Sequence, residues 1–430
     1  MPRWRWILLQ ITRRLWVRAT LIGMLGILSA GLAALGEYVV FWEPPENAGI
    51  ESVDVILKII ASSMLSVTTF SLSIMTAAYA SATNNVTPRA IKLLLEDNVT
   101  QNALSTFLGS FLFSIVGIVV LQIGAYGERG RFMVFAMTIV VIALIVVALL
   151  RWIDHLTRLG RVGETTKRVE EAVWDALKNR LKAPHLGGVS WSKDEEISKD
   201  AIRVNADAVG YIQHIDVENL DKCCEELHAD VYLMAQPGDF LYPCQPVAWI
   251  VPSDGFDDES EASLRERISY AVTLDEARTF DQDPRFGFVV LSEIAIRAMS
   301  PGVNDPGTAI DVIGRITRLL AQWAEDGADL NGDGEAIEPK NKPFKHVHAP
   351  ALTCDDLFED AFMLIARDGA ALVKVQIHLR RSLLSLEKMG GDDFKAAARR
   401  QLDLAWERAE KALVLEKDKE RLHAIDEEFA

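Results

Sequence analysis

The stretch VDVILKIIASSMLSVTTFSLSIMTAAYASAT, residues 53–83, carries two messages. It is longer and more apolar than the roughly 20 helical residues needed to cross a hydrocarbon core of about 30 Å, so it predicts a membrane-spanning helix. Its hydroxyls are also ordered: Ser62, Ser66, Thr69, Ser73 and Thr76 recur at steps of four, three, four and three. At about 100° per residue they fall within an arc of roughly 80°, and Lys58 continues that face toward the outer end. Polar atoms facing lipid are costly, so this face is expected to meet other helices or water. Either the small residues let helices approach closely while the hydroxyls bond back to carbonyls, or copies of the helix surround an axis and the stripe lines a hydrated path. Lys58 either draws anions toward a mouth or snorkels to headgroups, and snorkelling is the simpler account.

Outward from this stretch, three further runs are apolar enough to span, giving four in all at about 19–42, 53–80, 101–124 and 132–150. The first has no small-residue cleavage site and reads as a permanent helix. No acidic residue lies deep in any span, which argues against a proton relay. Arg3, Arg5, Arg13, Arg14 and Arg18 precede the first span, and Arg151, Arg158, Arg161, Lys167 and Arg168 follow the fourth. Both termini are therefore expected to be cytoplasmic. Trp4, Trp6, Trp16, Trp42 and Trp152 are expected at the membrane interface. Between spans two and three, Thr87 is expected to cap a short interfacial helix with Pro88 at its first position.

Residues 1–150 hold ten Lys and Arg against eight Asp and Glu, a net of +2, so the remainder carries −18 of the total −16. So acidic a remainder excludes a nucleic-acid partner. Segment 151–185 reads as a connecting helix with an apolar stripe of Val169, Val173, Leu177 and Leu181, suited to self-association. Residues 186–430 read as a cytoplasmic α+β domain. Within it, 201–252 is a β-rich module whose one helix is opened by Asp216, followed by C-terminal helices. Pro237-Gly238-Asp239 reads as a turn. Cys223, Cys224, Cys244 and Cys354 lack zinc spacing and read as packing residues.

The segment RTFDQDPRFGFVVLSEIAIRAMSPGVNDPGT, residues 278–308, is the most unusual of the domain. Phe286, Val289, Val290, Ile294 and Ala298 predict an amphipathic helix that ends at Ser300-Pro301-Gly302. Asp305 is placed to cap the next helix, with Pro306 at its first position. Arg278, Asp281, Gln282, Asp283, Arg285, Arg297, Asn304 and Asp305 are left as polar candidates near one turn. Ion pairing among them is the first account, and a small-anion or regulatory site the second.

The stretches TPRAIKLLLEDNVTQNALSTFLGSF (87–111), GYIQHID (210–216) with PGDF (237–240), RTFDQDPRFGF (278–288) and EIAIRAMSPGVNDPGTAI (293–310) occur in this order. The combination resembles the bacterial predicted membrane proteins classed as domain of unknown function 2254. The resemblance covers nearly the whole chain and implies a fold and a membrane location, with no established activity. The family pattern has a bulky residue where Gly307 stands and an Asp where Glu293 stands, so neither position is expected to hold a ligand.

Enzyme signatures are absent: there is no GxSxG elbow, GxxxxGK[ST] loop, HExxH or GxGxxG after a strand. Asp329-x-Asn331-x-Asp333-Gly334 opens like a calcium loop, but Lys340 stands where a bidentate Glu belongs, so a Gly- and acid-rich loop is expected. His346-x-His348 has no third ligand in view. No catalytic residue, metal or cofactor is expected.

The expected protein is an α-helical membrane protein with about four transmembrane helices and a mixed α+β cytoplasmic domain, multi-pass in the bacterial inner membrane. It is expected to self-associate as a homo-oligomer with the second helix nearest the axis. Lys58, Ser62, Ser66, Thr69, Ser73 and Thr76 would then line a channel-like pore for small ions, regulated by a collar of cytoplasmic domains. The alternative is a non-conducting scaffold or accessory subunit that binds another membrane complex.

Overall fold

Two helices, α1 (Arg3–Thr12) and α2 (Leu15–Ala33), precede the quoted stretch, which forms the uninterrupted helix α3 (Val53–Asn85). That continuity follows from a run holding neither proline nor glycine. The computed structural model describes residues 2–33, 52–124, 126, 128–192, 195–253, 256–331 and 344–429. A short 3₁₀ turn at Pro88–Ala90 leads into α4 (Ile91–Leu95), followed by α5 (Asn98–Gln122) and α6 (Glu128–Leu156). Ile7–Asn84 and Pro88–Glu164 form one compact unit, and Met1–Trp6, Asn85–Thr87 and Thr165–Ala430 form the other.

Among the described residues of the apolar unit, three helices are long and apolar enough to cross a membrane: Val53–Thr83, Asn98–Gln122 and Arg129–Leu156. A fourth crossing would combine α1 and α2, which are bent by 71° at a short break. Helix α2 begins before the first expected span, whose apolar run starts near residue 19: Arg18 lies within the helix, and its Nε donates to the Thr12 carbonyl at 3.0 Å. Residues 34–42 of that expected span, Trp42 among them, lie outside the described residues.

Close packing of α2 on α5 depends on absent side chains. A Cβ added at Gly109 would meet Ile22 Cγ2 at 2.7 Å, and one at Gly26 would meet the Gly109 carbonyl oxygen at 2.7 Å. Such small-residue contacts let helix backbones approach where lipid supplies no hydrophobic drive. Gly109→Val is therefore expected to destabilise this unit by about 1–3 kcal/mol, as overpacking does. A lower melting midpoint in detergent would register it. Gly31→Ala is expected to leave the midpoint in place, since nothing lies within 4 Å of its added Cβ.

Helix α3 buries one face only. Val53 and Leu57 pack with Phe113 and Val134, while Ile60 and Met64 pack with Phe107, Ile145 and Trp152. Trp152 packs inside the unit: it is 2% exposed and stacks on His155. Trp6 is buried too, stacked on His214 with Nε1 donating to Asp281 Oδ2 at 3.0 Å. Trp4 and Trp16 are exposed.

Helix α7 (Val162–Lys182), which belongs to the second unit from Thr165 on, is separated from α6 by a turn at residues 157–161 where one connecting helix was expected. Most of its apolar stripe is already covered within the chain. Val169, Val173 and Leu177 are fully buried within this unit, and Gly287 lies so close that an added Cβ would meet Val173 Cγ2.

Next come β1 (Val189–Ser190), β2 (Ile202–Asn205), β3 (Gly210–Ile215), α8 (Val217–Leu227) and β4 (Ala229–Leu233). They are followed by β5 (Phe240–Leu241), β6 (Pro246–Pro252), α9 (Asp258–Ala271) and β7 (Val272–Asp275). Asp216 opens α8 as expected, accepting from the Asn219 amide at 3.1 Å. One helix, α8, lies within 201–252; α9 follows that stretch, and its Leu264, Ile268 and Ala271 join the same core.

The chain then forms α10 (Pro284–Met299), α11 (Pro306–Asn331), β8 (Val347–Ala349), α12 (Cys354–Asp368), α13 (Val373–Glu387), α14 (Asp392–Ala412) and α15 (Glu416–Phe429). Strand β8 inserts into a mixed sheet of order β1-β8-β4-β6-β2, and β5-β3-β7 forms a separate antiparallel sheet. Helix α10 packs on α11 and α12, α12 on α14, and α13 on α11, α14 and α15. The calcium-like string is not all loop, since α11 runs through Asn331, and the rest of it lies outside the described residues. Cys223 and Cys224 are packing residues as expected, whereas Cys244 is exposed in a turn at φ 66°.

Candidate functional site

A cleft of about 230 Å³ opens in the second unit where α7, the 236–240 turn and the start of α10 converge. Each wall follows from local sequence. Helix α10 begins with Pro284, and Asp283 caps it by accepting from the Phe286 amide at 3.0 Å. Arg278 then closes a bidentate pair on the same carboxylate, Nε to Oδ2 at 2.8 Å and Nη2 to Oδ1 at 3.0 Å. Burial pushes the Asp283 carboxyl up, and the Arg278 guanidinium opposes that push.

Opposite stands the turn Pro237-Gly238-Asp239. The Gly238 amide donates to the Ile212 carbonyl at 2.8 Å, and the Asp239 carboxylate accepts from the Gln236 amide at 2.9 Å. Arg285, one residue into α10, donates to Asp360 Oδ2 at 2.6 Å and lies 3.1 Å from Asp356 Oδ1. These carboxylates raise its affinity for the proton although burial lowers it.

Arg180 of α7 completes the lining. It is 6% exposed; Nη1 reaches Gln236 Oε1 at 3.5 Å and Nη2 the Gln282 carbonyl at 3.3 Å. Burial pulls its guanidinium down to about 10, against the field of Asp283. Tyr211 and Phe240 form an aromatic edge, their centroids 4.9 Å apart in a T-shaped contact.

The polar candidates of 278–308 are thus divided. Arg278, Asp283 and Arg285 line the cleft. Gln282 lies behind it, its side chain accepting from the Ile215 amide at 3.0 Å, and Asp281 accepts from Trp6. Arg297 lies in the last turn of α10, and Asn304 and Asp305 stand beyond it; the helix has 16 residues and so is roughly 24 Å long. There Asp305 caps α11, accepting from the Thr308 amide at 3.1 Å and its hydroxyl at 2.6 Å, which hold its carboxyl below the usual range. Asn304 sits at φ 51° before that cap. Glu293 accepts from the Thr87 hydroxyl at 3.0 Å.

The stripe of α3 lies apart. Lys58, Ser62, Ser66, Thr69, Ser73 and Thr76 are all exposed, and no other described part of the chain covers them. Every hydroxyl of the five bonds back to its own helix. Ser66 donates to the Ser62 carbonyl and Ser73 to the Thr69 carbonyl, both at 3.0 Å, and Thr76 to the Ser73 carbonyl at 2.8 Å. Ser62 and Thr69 behave alike. Lys58 does not stand alone at its end, since it pairs with Asp54 one turn away.

The model of the family described as predicted membrane protein (DUF2254) matches residues 12–385. The chain belongs to this family. Uncharacterised proteins of Mycobacterium bovis and Mycobacterium tuberculosis are each 24% identical over 265 residues, 58% of this chain and 48% of theirs. The chain thus spans about half the length of the curated relatives it matches. No solved structure matches it. Three of the stretches that carry the DUF2254 resemblance meet at the cleft: GYIQHID brings Tyr211, PGDF the turn, and RTFDQDPRFGF the two arginines and Asp283. Arg180 and Gln236 were not singled out in the sequence, although Arg180 stands seven residues after Val173, on the stripe that proved buried.

Proposed function

We propose that the chain is a multi-pass protein of the bacterial inner membrane, with cytoplasmic termini, which self-associates so that copies of α3 surround a polar path for small ions. One observation carries this reading: the hydroxyl stripe is exposed along the helix and left uncovered by the rest of the described chain. Lipid is a poor solvent for such a face, and further copies of the same helix would cover it symmetrically. The back-bonding adds a direction. A serine or threonine that spends its O–H on a backbone carbonyl keeps only lone pairs for the space outside the helix. A ring of such oxygens suits cations. Lys58 does not oppose this strongly, because Asp54 balances its charge.

Purified protein in proteoliposomes tests the proposal by ion flux, with assembly checked for each variant. Wild-type vesicles are expected to pass potassium faster than chloride. Ser66→Leu and Ser73→Leu are expected to abolish that flux, while Val140→Leu, at an exposed apolar site of α6, leaves it intact. Wild-type vesicles that stay sealed across voltage, pH and divalent ions would overturn the pore and leave the scaffold reading, in which the stripe packs dry against another membrane protein.

A further inference from the structure

The cleft at Arg180 holds an electrostatic imbalance. Its lining contains three arginines and two aspartates, and Asp356 and Asp360 pair with one of those arginines from outside the lining, so any imbalance is local to a single guanidinium. Two of the three cations are accounted for: Arg278 by both oxygens of Asp283, and Arg285 by Asp356 and Asp360. Arg180 is not. Among the described residues no carboxylate lies within ion-pair distance of its guanidinium, and its two contacts are long ones to neutral oxygens. A buried guanidinium that no carboxylate touches is costly, and the field of Asp283 offsets only part of that cost. It nevertheless lines an open cleft, where a ligand can reach it.

We propose that the cleft binds a small organic anion of the carboxylate class, held by the guanidinium of Arg180. A carboxylate is planar and accepts two parallel N–H bonds from one guanidinium, and its single charge matches that of the one lining guanidinium that no carboxylate pairs with. Phosphate esters carry nearly two charges at neutral pH and would meet Asp283 and Asp239 with one to spare. The volume of about 230 Å³ lies below the roughly 300 Å³ at which drug-sized pockets begin, so the ligand is a short organic acid. Tyr211 and Phe240 offer an apolar edge to its carbon end. Burial already draws the Arg180 guanidinium below its ordinary range, so an arriving anion relieves a cost that is present in the empty protein.

The test is thermal unfolding of the full-length protein in detergent, with millimolar acetate, lactate or inorganic phosphate against chloride at equal ionic strength. Wild type is expected to melt several degrees higher in at least one of the carboxylates and to be unmoved by phosphate. Arg180→Met is expected to lose that shift, and Arg180→Lys, which keeps the charge without the fork, to show a smaller one. In chloride alone, Arg180→Met is expected to melt at or above wild type, because an uncompensated buried cation has been replaced by an apolar chain of similar length. An Arg180→Met protein that melts well below wild type in chloride, or fails to fold, makes Arg180 a structural strut and overturns the proposal. So does a carboxylate shift that survives in Arg180→Met, a shift caused by phosphate alone, or no shift in wild type.

Discussion

Asp283→Ala is expected to destabilise the second unit by about 3–5 kcal/mol, the range for breaking a buried ion pair from one side. The carboxylate is 2% exposed and serves two partners at once. Removing it frees the Phe286 amide at the start of α10 and leaves the Arg278 guanidinium, itself only 19% exposed, without its bidentate acceptor. Asp283→Asn separates the two losses. Asparagine caps helices about as well as aspartate, so the amide keeps a partner while the charge goes, and the cost should fall between wild type and alanine. A chain of two units need not unfold in one step, so the better measurement is hydrogen exchange in residues 284–299. Faster exchange there, ordered alanine above asparagine above wild type, is the expected result. Unchanged exchange in the alanine variant would mean that neither partner depends on this carboxylate.

The long helices were legible because an apolar run of twenty or more residues has few other uses. The helix and the apolar run need not share a start: Arg18 flanks the run yet lies inside α2, where its long side chain folds back to the Thr12 carbonyl. The break between α6 and α7 was missed because its signal is Gly160 alone, with no proline beside it. Strand β8 was missed for a different reason. It is three residues long and pairs in parallel with β1 and β4, more than 110 residues earlier, and local pattern carries no trace of so distant a partner.

The cleft was half legible. RTFDQDPRFGF announced itself through the density of charge around one proline, and three of its polar residues do line the cleft. Sequence proximity misled at the other end. Arg297, Asn304 and Asp305 follow closely along the chain, but a helix intervenes, and a helix converts 16 residues into distance where a turn would have folded them together. Arg180 was overlooked because a basic residue in a last helical turn ordinarily answers the helix dipole. Its place on the apolar stripe was the stronger clue: an arginine facing inward must meet an acceptor there.

Gly238→Ala tests how the two walls of the cleft are joined. Gly238 sits at φ +99°, and an added Cβ would stand 2.2 Å from Asp283 Oδ2. Two costs are therefore combined in one substitution: backbone strain of about 1–3 kcal/mol, and displacement of a carboxylate that already holds Arg278 and the α10 cap. In the wild-type background Gly238→Ala is expected to speed exchange in residues 284–299 nearly as much as Asp283→Ala, although the substitution lies in a different element. In the Asp283→Ala background the carboxylate is gone and only the strain remains, so the same substitution should cost less. A coupling on the order of 1 kcal/mol is expected between the two positions, within the range seen for residues in contact. If the two costs simply add, the Cβ finds room without moving Asp283. The glycine would then be required by its own backbone and not by the carboxylate against which it is pressed.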